Sequence, residues 1–117
     1  MPVISNEPAN ALRQPLFRRL LIANRGEIAV RIARTAGDLG IETVAIYSED
    51  DFASGHLRYA DISHRLSGTG APAYLDLEQL ISVARKYDCD AVHPGYGFLS
   101  ESIALATRCQ EEGLVFV

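Results

Sequence analysis

The sequence predicts an α/β fold: a doubly wound, mostly parallel five-stranded sheet with helices on both faces. Two features of pattern predict it. Short apolar runs without alternation, such as Leu20-Leu21-Ile22-Ala23, mark strands covered on both sides. Segments of helical period separate these runs with short links, the rhythm of right-handed strand-helix-strand crossovers. Length fixes the number of units, because 117 residues at 48% apolar content build one core and leave no room for a second.

Residues 1–15 carry three of the five prolines and no periodicity, so a flexible tail is expected there, with the folded domain spanning 16–117 and order beginning near Phe17. Leu20 to Ala23 is the first strand. Ile28, Ile32, Ala36 and Leu39 then recur at helical spacing, Glu27 and Arg31 stand at i,i+4 in the favourable order, and Gly40 stops the helix. Thr43 to Tyr47 is a β-branched second strand, followed by a polar connection from Asp50 to Tyr59 with room for a short helix. Ile62 to Leu66 is a weaker third strand. Gly68-Thr69-Gly70-Ala71-Pro72-Ala73 superficially resembles a dinucleotide-binding glycine pattern, but it follows the third strand and contains proline, so it is expected as a loop.

Asp76 is placed to cap the next helix, with Gln79 at the reciprocal capping-box position and Leu77, Leu80, Ile81 and Ala84 as its buried stripe. Ala91-Val92-His93 is the fourth strand, Ser100 to Glu112 a helix stopped by Gly113, and Leu114 to Val117 the fifth strand. A strand of Leu, Val, Phe and Val at a free terminus is a sticky edge, so the chain is expected to be a fragment.

Charge and cysteine usage narrow the function. A net charge of −4 lacks the basic field that a nucleic-acid binder needs, and Arg13, Arg18 and Arg19 read as solvation of the first strand's start. No apolar run approaches bilayer length, and Met1 to Pro15 has no apolar core of the signal-peptide kind. With only Cys89 and Cys109, a disulfide framework is not expected, and both are read as buried small hydrophobes in a cytoplasmic chain.

Chemistry belongs to the strand-to-helix turns, which open at the carboxyl edge of such a sheet. In Asn24-Arg25-Gly26-Glu27 the glycine permits a tight turn, and Arg25 can hold a carboxylate or phosphate bidentately or pair with an acid elsewhere. Glu27 in a first turn suits the helix dipole and repels phosphate. In His93-Pro94-Gly95-Tyr96-Gly97-Phe98-Leu99-Ser100-Glu101, two glycines bracket a projected phenol and leave backbone amides free. His93 reads as a hydrogen-bonded structural group ahead of a base, and Glu101 as either a ligand-facing acid or a first-turn carboxylate. No P-loop lysine, serine elbow or metal-ligand spacing appears.

These two runs, extended as Leu21-Ile22-Ala23-Asn24-Arg25-Gly26-Glu27-Ile28-Ala29, resemble the amino-terminal domain of biotin carboxylase from roughly Leu16 to Val117. Val44-Ala45-Ile46-Tyr47-Ser48, His56, Ala60-Asp61, Tyr74-Leu75 and Gly113 also fall where the family has them. The resemblance implies a Rossmann-like domain preceding an ATP-grasp, in an ATP-dependent ligase that activates bicarbonate and carboxylates biotin. ATP, Mg2+ and bicarbonate would be held by the ATP-grasp and carboxyl-terminal domains of the same parent chain. Biotin would arrive on a biotin carboxyl carrier domain and leave to a carboxyltransferase.

By the same resemblance Gly95, Tyr96, Gly97 and Glu101 would face the biotin-side cleft, with Tyr96 beside the ring, while Asn24, Arg25, Gly26 and His93 shape the edge. Arg34 and Asp38 would lie at a homodimer interface, or form a solvated i,i+4 pair. No catalytic residue is assigned within 1–117, so the fragment alone is expected to be inactive. Phe52, Ile62, Asp76 and Ser102 depart from arginine, glutamate, asparagine and asparagine in the family pattern. A second reading is a free-standing α/β module for nucleotide binding or dimerisation, and the missing glycine fingerprint argues against an ordinary dinucleotide site in it.

Overall fold

A computed structural model describes residues 17–51, 55–97 and 99–117. The expected tail over 1–15 and the departure at Phe52 lie outside the described residues. In order run β1 (Arg19–Ile22), α1 (Gly26–Asp38), β2 (Glu42–Tyr47), a 3-10 turn (Gly55–Tyr59), β3 (Ile62–Arg65), α2 (Gly70–Tyr74), α3 (Leu77–Lys86), β4 (Ala91–His93), α4 (Ile103–Glu111) and β5 (Val115–Phe116). The five strands form one sheet in the order β3-β2-β1-β4-β5, with every pairing parallel. The expected doubly wound α/β class is observed.

The chain leaves β1 toward β2 on one side and crosses back from β3 to β4 on the other, so β1 and β4 meet at the topological switch point. Residues of β1 alternate between two cores. Leu20 and Ile22 pack with Ala29, Ala33, Ala36, Ile41 and Ala91 under α1, whereas Leu21 and Ala23 join Val44, Ile46, Tyr74, Leu80, Leu105 and Cys109 on the opposite face. At the amino edge, the Asp90 carboxylate accepts the backbone N–H groups of Arg18 and Arg19, which sets the β1 and β4 starts level.

Several elements differ from expectation for local reasons. The row of α1 that meets the sheet is Ala29, Ala33 and Ala36, while Ile28 and Ile32 are half-buried at its flank and Leu39 is 60% exposed. Small residues let the helix approach the sheet closely, which rotates the larger apolar side chains toward a lateral hollow. Gly68 to Ala73 is not wholly a loop, since Gly70–Tyr74 forms helix α2. Pro72 is compatible with it because first-turn N–H groups have no intrahelical acceptor.

Helix α4 starts at Ile103 rather than near Ser100, and Ser102 is its N-cap, accepting the Leu105 N–H at 3.0 Å. Serine and asparagine are comparable N-caps, so the departure at Ser102 leaves the helix capped. Asp76 caps α3 through the Gln79 N–H at 3.2 Å, but the Gln79 carboxamide is spent largely on the Ser67 backbone rather than reaching the Asp76 N–H. Neither expected helical ion pair, Glu27 with Arg31 or Arg34 with Asp38, closes among the described residues; the Arg34 guanidinium lies 5.8 Å from the Tyr59 ring centroid instead. Cys89 and Cys109 are buried free thiols, and burial pushes Cys89 up to about 12.

Candidate functional site at the switch point

Parallel pairing of Ile22 with His93 brings the ends of β1 and β4 side by side, so the two runs singled out above become neighbours. Asn24 joins them. Its side chain is 2% exposed, its Nδ2 donates to the Pro94 and Tyr96 carbonyls at 2.7 Å each, and its Oδ1 accepts the Arg25 N–H at 2.8 Å. Both Nδ2 hydrogens are therefore used, and the carboxamide's orientation is dictated by two acceptors on one side and one donor on the other.

Gly95 completes the contact. It sits at φ +69°, and a Cβ there would lie 2.7 Å from Ile28 Cγ2 and 2.8 Å from Asn24 Nδ2, closer than real side chains approach. Gly26 and Gly97, at φ +68° and +62°, need glycine for conformation alone, because nothing lies within 4 Å of a Cβ at either. The loop thus presses onto the start of α1 and projects Tyr96 outward, 71% exposed. Among the described residues no acceptor stands against the Tyr96 or Gly97 N–H.

His93 accepts the Gly95 N–H at its Nδ1, 3.0 Å away, so that nitrogen's lone pair is occupied within the loop. Burial lowers its pKa, which keeps the ring neutral. A structural histidine is the better description than a base. Glu101 is exposed and lies one residue before the Ser102 cap, outside the first helical turn that its alternative reading assumed. No hydrogen bond or ion pair holds its carboxylate among the described residues.

Arg25 is committed to its own domain. Its Nε and a terminal nitrogen grip Asp51 at 2.6 and 3.1 Å, the Tyr74 hydroxyl donates to Asp51 at 2.8 Å, and the Ser48 N–H donates to that hydroxyl at 3.0 Å. The Arg25 hydrogen bond holds the Asp51 carboxyl below its usual range, and burial raises the Tyr74 phenol. The pair ties the end of β1 to the end of β2. Asp50, lowered chiefly by its bond from Ser48, also accepts the Gly70 N–H at 3.0 Å and fixes the start of α2.

Sequence reading missed Asp51 and Tyr74 as partners of Arg25. The available signal was an acid pair directly after β2, but its relevance depends on β2 lying beside β1. It also spent Arg31 on Glu27, whereas Arg31 borders a hollow of about 280 Å³ with Ile28, Ile32, His93, Gly95 and Tyr96. Arg34 and Asp38 lie further along α1 and do not join the loop cluster. Among the described residues no group of three or more His, Cys, Asp or Glu side chains is placed to hold a metal ion.

Comparison with known proteins identifies the family. The pattern of the biotin carboxylase N-terminal domain matches residues 16–117. Pyruvate carboxylase of Bacillus subtilis is 48% identical over 108 residues, covering 91% of this chain and 9% of that protein. A solved biotin carboxylase domain of a single-chain bacterial carboxylase superposes with a TM-score of 0.83 at 54% identity, over 85% of this chain and 23% of that one. The biotin carboxylase domain dimer of Hydrogenobacter thermophilus 2-oxoglutarate carboxylase, solved with MgADP, ADP and bicarbonate, gives 0.84 at 40% identity, over 87% of this chain and 22% of that one. The chain thus spans under a quarter of each of these relatives, and it belongs to the biotin carboxylase N-terminal domain family.

Proposed function

We propose that this domain, residues 16–117, is one wall of the biotin-side cleft in an ATP-dependent biotin carboxylase, acting as part of a longer parent chain in the cytoplasm. The observation that supports it most is the clamp by which Asn24 holds the Gly95-Tyr96-Gly97 loop at the switch point, with an exposed phenol and free amides facing outward. Tyr96 supplies an apolar face for the biotin ring, and the glycine backbone on either side lets substrate approach closely. Glu101 stands as an uncommitted acid on the same edge.

ATP, Mg2+ and bicarbonate are assigned to the ATP-grasp and carboxyl-terminal domains, a reading supported by the lack of a P-loop lysine in the sequence and of a metal-ligand cluster among the described residues. When bound there, they supply the activated carboxyl group. The residues of 16–117 orient the acceptor and exclude water on one side. Biotin is delivered on a carrier domain and passes its carboxyl to a carboxyltransferase, and a second copy docks along the outer face of α1 at Arg34 and Asp38. The acyl-CoA, pyruvate or urea acceptor is chosen outside this chain.

Bicarbonate-dependent ATP cleavage, with and without free biotin, tests the reading on both the parent and residues 1–117 alone. The parent is expected to turn over ATP in a biotin-stimulated manner and the short chain to be inert. Turnover by the short chain, or a folded parent with magnesium that ignores biotin, contradicts the proposal.

A further inference from the structure

Asn24 is a buried carboxamide between two segments, and no substrate need touch it. Its Nδ2 donates to two carbonyls of the β4 loop, one on each side of Gly95, while its Oδ1 is anchored by the N–H of Arg25 at the head of α1. A loop held by both Pro94 and Tyr96 carbonyls cannot shift outward without breaking two hydrogen bonds at a 2%-exposed donor. Nor can it shift inward, because the Gly95 Cα already faces Ile28 Cγ2 and Asn24 Nδ2 at distances that admit no Cβ. The height of the loop is fixed from both sides.

We infer that Asn24 is a positioning residue for the acceptor cleft: through the Pro94 and Tyr96 carbonyls it sets where the Tyr96 ring and the Gly97 amide stand. This rests on the biotin-side reading of that loop. Arg25, one residue on, belongs to a separate network on Asp51 and Tyr74, so the two neighbours divide the work. Arg25 ties β1 to β2, and Asn24 ties β1 to β4.

The test is a double-mutant cycle in the parent carboxylase, using Asn24→Ser, Tyr96→Ala and both together, with KM for free biotin and KM for ATP measured for each. Asn24→Ser is expected to raise KM for biotin roughly tenfold, since it leaves two carbonyls without their donor, and to leave KM for ATP within about twofold. In the Tyr96→Ala background the same change adds little, because the group being positioned is gone. Asn24→Asp keeps the side chain's volume but turns a carboxylate toward the two carbonyls, and it is expected to behave as Asn24→Ser does.

Tyr96→Ala with a raised KM for biotin, alongside Asn24 variants that leave it unchanged, overturns the positioning role and leaves the cleft reading intact. Additive effects overturn it equally. Failure of both Asn24 variants to fold assigns the residue to stability alone and overturns it too. A Tyr96→Ala parent with unaltered KM for biotin removes the cleft reading itself, and this inference with it.

Discussion

At the scale of single residues, the three glycines of the edge carry different demands. Gly95→Ala places a methyl against Ile28 and Asn24 at a positive φ, and it is expected to cost about 2–5 kcal/mol from overpacking and left-handed strain together. Gly97→Ala meets only the conformational penalty, about 1–2 kcal/mol. Denaturant unfolding separates the two; equal losses contradict the close approach. The sequence made all three look alike, because a glycine required by φ and one required by space are spelled the same. All three histidines, His56, His64 and His93, titrate below their usual value because burial disfavours the charged ring. The unfolded chain therefore binds protons first as pH falls below about 6.5, so stability present at neutral pH is lost on acidification. Thermal melts are expected to shift downward from about pH 7 to about pH 5, before carboxylates such as Asp51 begin to protonate; a flat profile contradicts it.

At the scale of elements, the caps are the most legible features and the most directly testable. Asp76 caps α3 as its place in the sequence predicts, and Asp76→Ala is expected to destabilise by about 0.5–2 kcal/mol, measured by chemical denaturation. Gln79, expected at the reciprocal capping position, bonds chiefly to the Ser67 backbone, because the tertiary contact outcompetes the local one. Ser102→Ala should cost the same as Asp76→Ala, whereas Ser102→Asn should be neutral, because serine and asparagine cap equally well. Helix α1 shows where periodicity misleads: isoleucine and leucine dominate any hydrophobic stripe on paper, yet the alanine row is the one that fits against the sheet. The same rotation delivers Ile28 to Gly95 and Arg31 to the hollow beside Tyr96.

At the scale of the whole molecule, the α/β class and the strand-helix rhythm were legible because strand burial and helix period are local signals. Sheet order was not, and with it went the partners of Arg25, since the guanidinium meets Asp51 only once β2 lies beside β1. The order also explains why the two motifs act as one edge. Beyond α1, the same sheet face continues over β4 and β5 with Val115 and Val117 about half exposed, while Phe116 turns into the opposite core. No helix among the described residues is long and apolar enough to cross a membrane. The proposed function requires that the Gly95-Tyr96-Gly97 loop be the wall that biotin meets. The most direct measurement is KM for free biotin in the parent carboxylase carrying Tyr96→Ala. A rise of roughly tenfold, with KM for ATP within about twofold, is the predicted result; a KM for biotin equal to that of the unaltered parent contradicts it.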